Sequence, residues 1–313
     1  MASQQPLKLC FSTLACPDWT WADILRNGPQ FGYHGVEIRL LGRETDLLVR
    51  SEFQPDQLAQ RRAELEAAQF AVAGVGSSVR FDYLDSDVRQ QQLEIGRRYI
   101  DLAHQLRSRF VRVFGDVFTA GQDAPGRERV VAQVVEGLTT LGHYAEPRGV
   151  LVLMETHGDF AATQWMQTVM ERVNHPAVGV LWDTHHPWRF YNEELSETFN
   201  RLRPWIRHTH WKDSVADAVH GDRKSASLQA AATRAQALMS GHKPAHYVLF
   251  GQGEFPAAAA LRQLDLAGYD GWYSLEWELA WHPELAQPLI ALPDFPRKLI
   301  ALSDAVRAGG ADR

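Results

Sequence analysis

The sequence predicts a single-domain α/β protein of the (β/α)8, or TIM-barrel, class, and three observations lead there. Short apolar, β-branched runs alternate along the chain with amphipathic segments opened by Ser, Asp or Pro. Eight such runs are present. The first is followed by LACPDWTW, which lacks the glycines of a phosphate-binding turn and so argues against an open doubly wound sheet. Near-continuous apolar strands separated by helices imply a parallel sheet buried on both faces, and eight repeats of the unit close it into a barrel. The 313 residues are accordingly taken as one domain, 1–313, with its core at about 7–300.

The expected strands are LKLCFST (7–13), GVEIRL (35–40), FAVAGVGSS (70–78), FVRVFG (110–115), GVLVLME (149–155), VGVLWD (178–183), IRHTHW (206–211) and GWYSLEW (271–277). Helices are expected between them. QPDQLAQRRAELEAAQ has Pro55 near its first turn, and SDVRQQQLEIGRRYIDLAHQL is opened by Ser86. In RERVVAQVVEGLTTLGHY, the residues Val130, Val131, Val134, Val135, Leu138 and Leu141 fall on one face, which needs a sheet to cover. Only the ends, MASQQ and RAGGADR, look disordered.

One connection is far longer than the rest. Between Asp213 and the last strand lies an insertion at about 214–250, with HGDRKSASLQAAATRAQALMSGHKPAHYV and then the turn-rich FGQGEF. Long loops on this face of a barrel serve as lids or binding loops, and an extra helix packed on a subunit neighbour is the equal alternative.

Composition narrows the function. A formal charge of −6 provides no basic footprint for nucleic acid. Cys10 and Cys16 are the only cysteines, too few for a disulfide framework, and are expected to be reduced core residues. MASQQPLKLC has no basic segment leading into an apolar stretch, and no window approaches the ~18 apolar residues of a membrane span. A cytoplasmic protein acting on small polar molecules, without membrane or nucleic-acid partners and with a homo-oligomer as one option, is the expectation.

The strand ends carry the chemistry. In a barrel the C-terminal ends of the strands converge on one face. VLVLMETH supplies Glu155 and His157; VLWDTHH supplies Asp183, His185 and His186; IRHTHWKD supplies His208, His210, Lys212 and Asp213; WYSLEWE supplies Glu276 and Glu278. Carboxylates gathered there without matching cations ask for a metal, because an uncompensated buried ion costs several kcal/mol. Alternation puts His208 and His210 on the inward face with His210 nearer the rim, and leaves the choice between Glu276 and Glu278 open. A mainly oxygen donor set with one imidazole favours Mn2+ or Mg2+ and accommodates Co2+, Fe2+ or Zn2+.

The series METHG, LWDTHH, HTHWKD, FGQGEF and YSLEWE resembles the xylose isomerase-like barrel superfamily of sugar and sugar phosphate isomerases and epimerases, near its inosose dehydratase and ketose 3-epimerase branches. The resemblance implies one divalent cation, Mn2+ first, held by Glu155, Asp183, His210 and Glu276. It also implies substrate contacts from His186, three residues after the aspartate, and from His157. Ala216 stands where several ketose epimerases have an arginine, six residues after the histidine of strand seven.

The expected activity follows from that set. A divalent cation bridging a hydroxyl and its neighbouring carbonyl acidifies the C–H between them and favours an enediolate. By the resemblance, Glu155 and Glu276 shuttle the proton while His186 and Lys212 orient or polarise substrate oxygens. The first expectation is a metal-dependent isomerase or epimerase acting on a ketose, aldose or keto-inositol. Loss of a β-hydroxyl from the same site makes a dehydratase the alternative. A non-catalytic sugar-binding or regulatory barrel is the alternative of another class. An endonuclease IV-like enzyme would need further zinc ligands on the early strands, which end without histidine.

Three groups are assigned plainer roles. His185 is expected to be a solvated loop histidine, and Glu37 to form an interior ion pair with Arg112. Arg223 and Lys224 are expected to be solvated loop charges. The ten tryptophans, Trp182, Trp188, Trp211 and Trp277 among them, are expected mainly to pack.

Overall fold

A computed structural model describes residues 6–118, 123–216 and 245–310. The strands are β1 (Lys8–Ser12), β2 (Gly35–Ile38), β3 (Ala71–Arg80), β4 (Phe110–Phe114), β5 (Leu151–Glu155), β6 (Val178–Asp183), β7 (Ile206–Trp211), β8 (Asp213–Ala216), β9 (Ala245–Val248) and β10 (Trp272–Leu275). Eight of them close a parallel barrel in the order β1-β10-β7-β6-β5-β4-β3-β2. The expected eight runs are these eight strands. β8 and β9 form a separate antiparallel pair, Asp213 opposite Val248. The long connection after β7 thus begins and ends in a two-stranded stem; most of the expected insertion, with Arg223 and Lys224, lies outside the described residues.

The helices are α1 (Trp21–Gln30), α2 (Leu58–Ala67), α3 (Ser86–Gln105), α4 (Ala124–Ala145), α5 (Thr163–Val173), α6 (His186–Tyr191), α7 (Leu195–Leu202), α8 (Ala257–Leu266) and α9 (Pro288–Gly310). Local chemistry sets their ends. Thr20 and Asp23 form a reciprocal capping box at α1, and Asp85 accepts from the backbone N–H of Asp87 and Val88 at α3. Asn174 closes α5 in the left-handed region at φ 39°.

Some boundaries differ from the sequence reading. Ser86 is the first helical residue and Asp85 the cap, and α2 begins at Leu58, after the turn that follows Pro55. Residues 307–310, expected to be disordered, continue α9. The apolar side of that helix is anchored by Leu292, Phe295 and Leu299, all buried in the core, and this contact holds the helix together beyond the last packed turn.

The main core lies between barrel and helices. Val130, Val131, Val134, Leu138 and Leu141 of α4 are fully buried there, as expected, with Val135 packed at its edge. Cys10 and Cys16 are buried free thiols, and Trp182, Trp211 and Trp277 are packed in the same core. Phe110, Leu153 and Leu181 make a small second cluster inside the barrel. Toward the C-terminal end of the barrel Glu37, Arg112, Glu155, Asp183, His210 and Glu276 are buried polar residues. No described helix is long and apolar enough to cross a membrane.

Candidate active site

Strand register gathers the four carboxylate and imidazole groups. Glu155 ends β5, Asp183 ends β6 directly opposite His210 of β7, and Glu276 follows β10, whose Ser274 is opposite His210. One ligand atom from each of Glu155, Asp183, His210 and Glu276 lies within 4.8 Å of the others, and all four residues are buried. Glu278, two residues on, lies outside this group and instead binds Lys212 at 2.7 Å.

Each group is held by a second interaction. Asp183 Oδ1 accepts from the backbone N–H of His185 at 2.9 Å and of His186 at 2.8 Å, which aims Oδ2 into the cluster. That Oδ2 is buried without a hydrogen bond; Lys212 Nζ lies 3.0 Å away but not along a hydrogen-bonding direction. Burial, only partly opposed by Lys212 and reinforced by Glu276 and Glu155, pushes the Asp183 carboxyl up to about 6. An oxygen in this state is under-coordinated, and a cation would complete it.

His210 faces both ways. Its Nε2 donates to Glu37 Oε2 at 2.8 Å, and its Nδ1 lies 3.3 Å from both Glu155 Oε1 and Glu276 Oε2. Burial works against the imidazolium, but Glu276, Glu37 and Glu155 outweigh it and raise His210 well above its ordinary range. Glu37 Oε2 is also shared by His208 Nε2 at 3.1 Å and Ser274 Oγ at 3.2 Å. Despite its burial, those histidines hold the Glu37 carboxyl well below the usual range.

The expected Glu37–Arg112 pair is therefore not formed. Arg112 Nη1 donates to Glu155 Oε2 at 3.0 Å and its guanidinium stacks 3.9 Å from the Phe114 ring centroid. Arg112 lies on β4, hydrogen-bonded to β5 with Arg112 opposite Leu153, so Glu155 is within reach while Glu37 turns to β7 across the interior.

Lys212, His186 and His157 ring the cluster. Lys212 Nζ is buried and donates to Glu276, Glu278 and, at 3.0 Å, His186 Nε2. Burial alone would lower this ammonium, yet Asp183, Glu276 and Glu278 hold it well above its ordinary value. His186 Nδ1 donates to Thr156 O at 3.0 Å, and burial together with Lys212 keeps its ring neutral. His157 is 27% exposed in its side chain and meets Asp116 Oδ1 at 3.3 Å, an ion contact short of hydrogen-bond alignment. Asp116 also binds Arg80 and anchors that contact from the β4 side.

Two further expectations are corrected. His185 is not solvated: it is fully buried, bonded to Ser214 Oγ at 2.7 Å and surrounded by Trp188, Phe190, Tyr247 and Phe255. The β8–β9 stem covers it. Asp213 faces away from the cluster; it accepts the backbone N–H of Ser214, Gly251, Gly253 and Phe255 at 2.8–3.0 Å and so folds the FGQGEF turn.

Sequence reasoning missed Glu37 as partner of His210, Asp116 as partner of His157, and Arg39. Glu37 and Arg39 share the inward face of GVEIRL by alternation, which marks both as interior but does not identify their partners.

Comparison with known proteins agrees with the barrel fold. The family model described as "Xylose isomerase-like TIM barrel" matches residues 26–293. An inosose dehydratase of Geobacillus thermodenitrificans is 29% identical over 160 residues, 50% of this chain and 49% of that protein. A 3-dehydroshikimate dehydratase of Bacillus anthracis is 24% identical over 212 residues, 64% of this chain and 69% of the relative. The chain thus spans about half the length of the inosose dehydratase it matches.

Among solved structures, an L-ribulose 3-epimerase superposes with TM-score 0.73 at 13% identity, covering 98% of this chain and 97% of its own. The IOLI protein with a bound zinc atom gives 0.73 at 16%, covering 96% and 99%. A xylose isomerase-like TIM barrel protein of Mycobacterium smegmatis in complex with magnesium gives 0.67 at 16%, covering 98% and 100%. At these identities the superpositions establish the fold.

Proposed function

The chain belongs to the xylose isomerase-like TIM barrel family, and from that premise we propose that it is a divalent-metal-dependent enzyme moving a proton beside the carbonyl of a sugar or keto-inositol. The observation that carries this reading is the buried group of Glu155, Asp183, His210 and Glu276 around the unsatisfied Asp183 Oδ2. Three carboxylates and one imidazole suit a hard or borderline cation, with Mn2+ the first choice and Mg2+, Co2+, Fe2+ or Zn2+ accommodated. Such a cation, when bound, supplies a Lewis acid for a substrate carbonyl and its adjacent hydroxyl.

The chain's own residues do the rest. Glu155 and Glu276 take the proton from carbon and return it. Arg112 fixes Glu155 from one side and Lys212 fixes Glu276 from the other. His186, held neutral as an acceptor at Nε2 by its Nδ1 bond to Thr156, orients a substrate hydroxyl together with Lys212 and His157. Return of the proton to the other face gives epimerisation, and return to the neighbouring carbon gives isomerisation. Departure of a β-hydroxyl gives dehydration, the second reading, and the dehydratases among the relatives favour it.

The test incubates Mn2+-loaded protein in heavy water with scyllo-inosose, L-ribulose and 3-dehydroshikimate. Deuterium in recovered ketose or its epimer supports the first reading, and loss of water supports the second. No exchange and no turnover with any of the three would overturn both.

A further inference from the structure

Four arginine and lysine side chains are buried among the described residues: Arg39, Arg112, Arg189 and Lys212. Three have carboxylate partners: Arg112 binds Glu155, Arg189 binds Glu254, and Lys212 binds Glu276 and Glu278. Arg39 has none. It is 8% exposed, and its guanidinium donates only to neutral acceptors, Ser78 Oγ at 2.8 Å and Thr45 O at 3.4 Å. A buried cation left with neutral partners keeps its desolvation cost until an anion arrives.

Its position is at the mouth of the barrel. Arg39 follows β2 and lies against Ser78 of β3, with its Cζ 6.0 Å from the Trp281 ring centroid beyond β10. Arg112 comes up beside it from β4. The two side chains converge over Gly76, where an added Cβ would lie 3.0 Å from Arg39 Cδ and 3.1 Å from Arg112 Nη2. Arg112 commits Nη1 to Glu155, its buried Nε has no hydrogen bond, and its Nη2 lies on the Gly76 side that it shares with Arg39. Burial first, and Arg112 second, lower Arg39 to about 10, with Tyr99, Glu155 and Glu276 acting against them from a distance; neither carboxylate pairs directly with its guanidinium.

We propose that Arg39 and Arg112 form an anion subsite beside Glu155 and take the carboxylate of a polyhydroxylated ring substrate. This rests on the metal-dependent proton-transfer reading above, keeps its chemistry, and replaces the neutral sugar or keto-inositol as preferred substrate with a ring acid. A planar carboxylate matches a guanidinium edge, and its single charge balances the single uncompensated cation. A phosphate dianion would bring a second negative charge beside Glu155 and Glu276 with nothing to offset it. Trp281 and Phe114 flank the two guanidiniums with flat apolar surface for the ring.

Isothermal titration calorimetry on Mn2+-loaded and on metal-free protein decides the matter, with shikimate, its neutral methyl ester, myo-inositol and fructose 6-phosphate as probes. Shikimate is expected to bind at least about tenfold more tightly than the ester, which has the same ring and hydroxyls without the charge. Arg39→Gln erases that preference and Arg39→Lys keeps part of it, while metal content stays at the wild-type level. Equal affinity for acid and ester, tighter binding of fructose 6-phosphate, or no shikimate binding at millimolar concentration overturns the subsite. If Arg39→Gln fails to fold, the acid and ester comparison on the wild type still decides. Failure of the metal reading shows separately, as absent metal uptake; an acid preference that persists in metal-free protein then supports the subsite on its own.

Discussion

His210 Nε2 lies 2.8 Å from Glu37 Oε2, and this one bond turns the other ring nitrogen toward Glu155 and Glu276. A carboxylate behind a histidine fixes the ring and raises its basicity as a ligand. Glu37→Gln is expected to weaken divalent-cation affinity about 10- to 100-fold while the fold persists, as read by calorimetric titration with Mn2+ and by circular dichroism.

Lys212 works in the opposite sense on the same carboxylates. Its ammonium sits 3.0 Å from Asp183 Oδ2 and binds Glu276, so it competes with a cation for both. Lys212→Met leaves buried carboxylates unpaired and should destabilise the metal-free protein by about 3–5 kcal/mol. Added Mn2+ should recover more melting temperature in the variant than in the wild type, and, on the proposed role of Lys212 in orienting substrate, turnover should fall.

Asp183 sets a pH window. In the metal-free protein its carboxyl is raised from 3.8 to about 6. The native state therefore holds a proton that the unfolded state releases between those values, and this contribution to stability is lost as pH rises through about 6. A cation displaces the same proton, so Mn2+ affinity should climb as pH increases across that window. Titrations at about pH 5 and about pH 7 check the sign.

Asp213 is expected to matter for stability and not for metal. Its carboxylate accepts four backbone N–H groups, and a Cβ at Gly253 would lie 2.1 Å from Asp213 Oδ1. Asp213→Ala should cost on the order of 2–3 kcal/mol by leaving those donors unmet. Gly253→Ala should destabilise by about 1–3 kcal/mol through the clash. Both variants should retain Mn2+ stoichiometry, read by elemental analysis after chemical denaturation curves establish the stability change.

Much of this was legible in the sequence because strand ends are local. VLVLME and VGVLWD are apolar until their last residue, so Glu155 and Asp183 announce the end of a buried strand; alternation then turned His210 inward. The partners were not legible because closure sets them. Glu37 meets His210 across 173 positions, and only the pairing of β1 with both β10 and β2 brings those strands within reach. The burial of His185 was not legible for a related reason: Trp188 and Phe190 of its own segment pack on it, but Ser214, Tyr247 and Phe255 on a distant connection complete its enclosure. Asp213 sits beside Lys212 in sequence, yet the turn at Gly251 to Phe255 claims its carboxylate.

Metal stoichiometry tests the central claim most directly. The protein is purified without added metal, supplied with Mn2+, dialysed and analysed for bound metals beside Glu155→Gln, Asp183→Asn, His210→Ala and Glu276→Gln. About one divalent ion per chain in the wild type, lost or sharply reduced in each variant, is the expected result. A folded wild type that takes up no ion, or variants that retain it in full, would contradict the account and leave Asp183 Oδ2 without its partner.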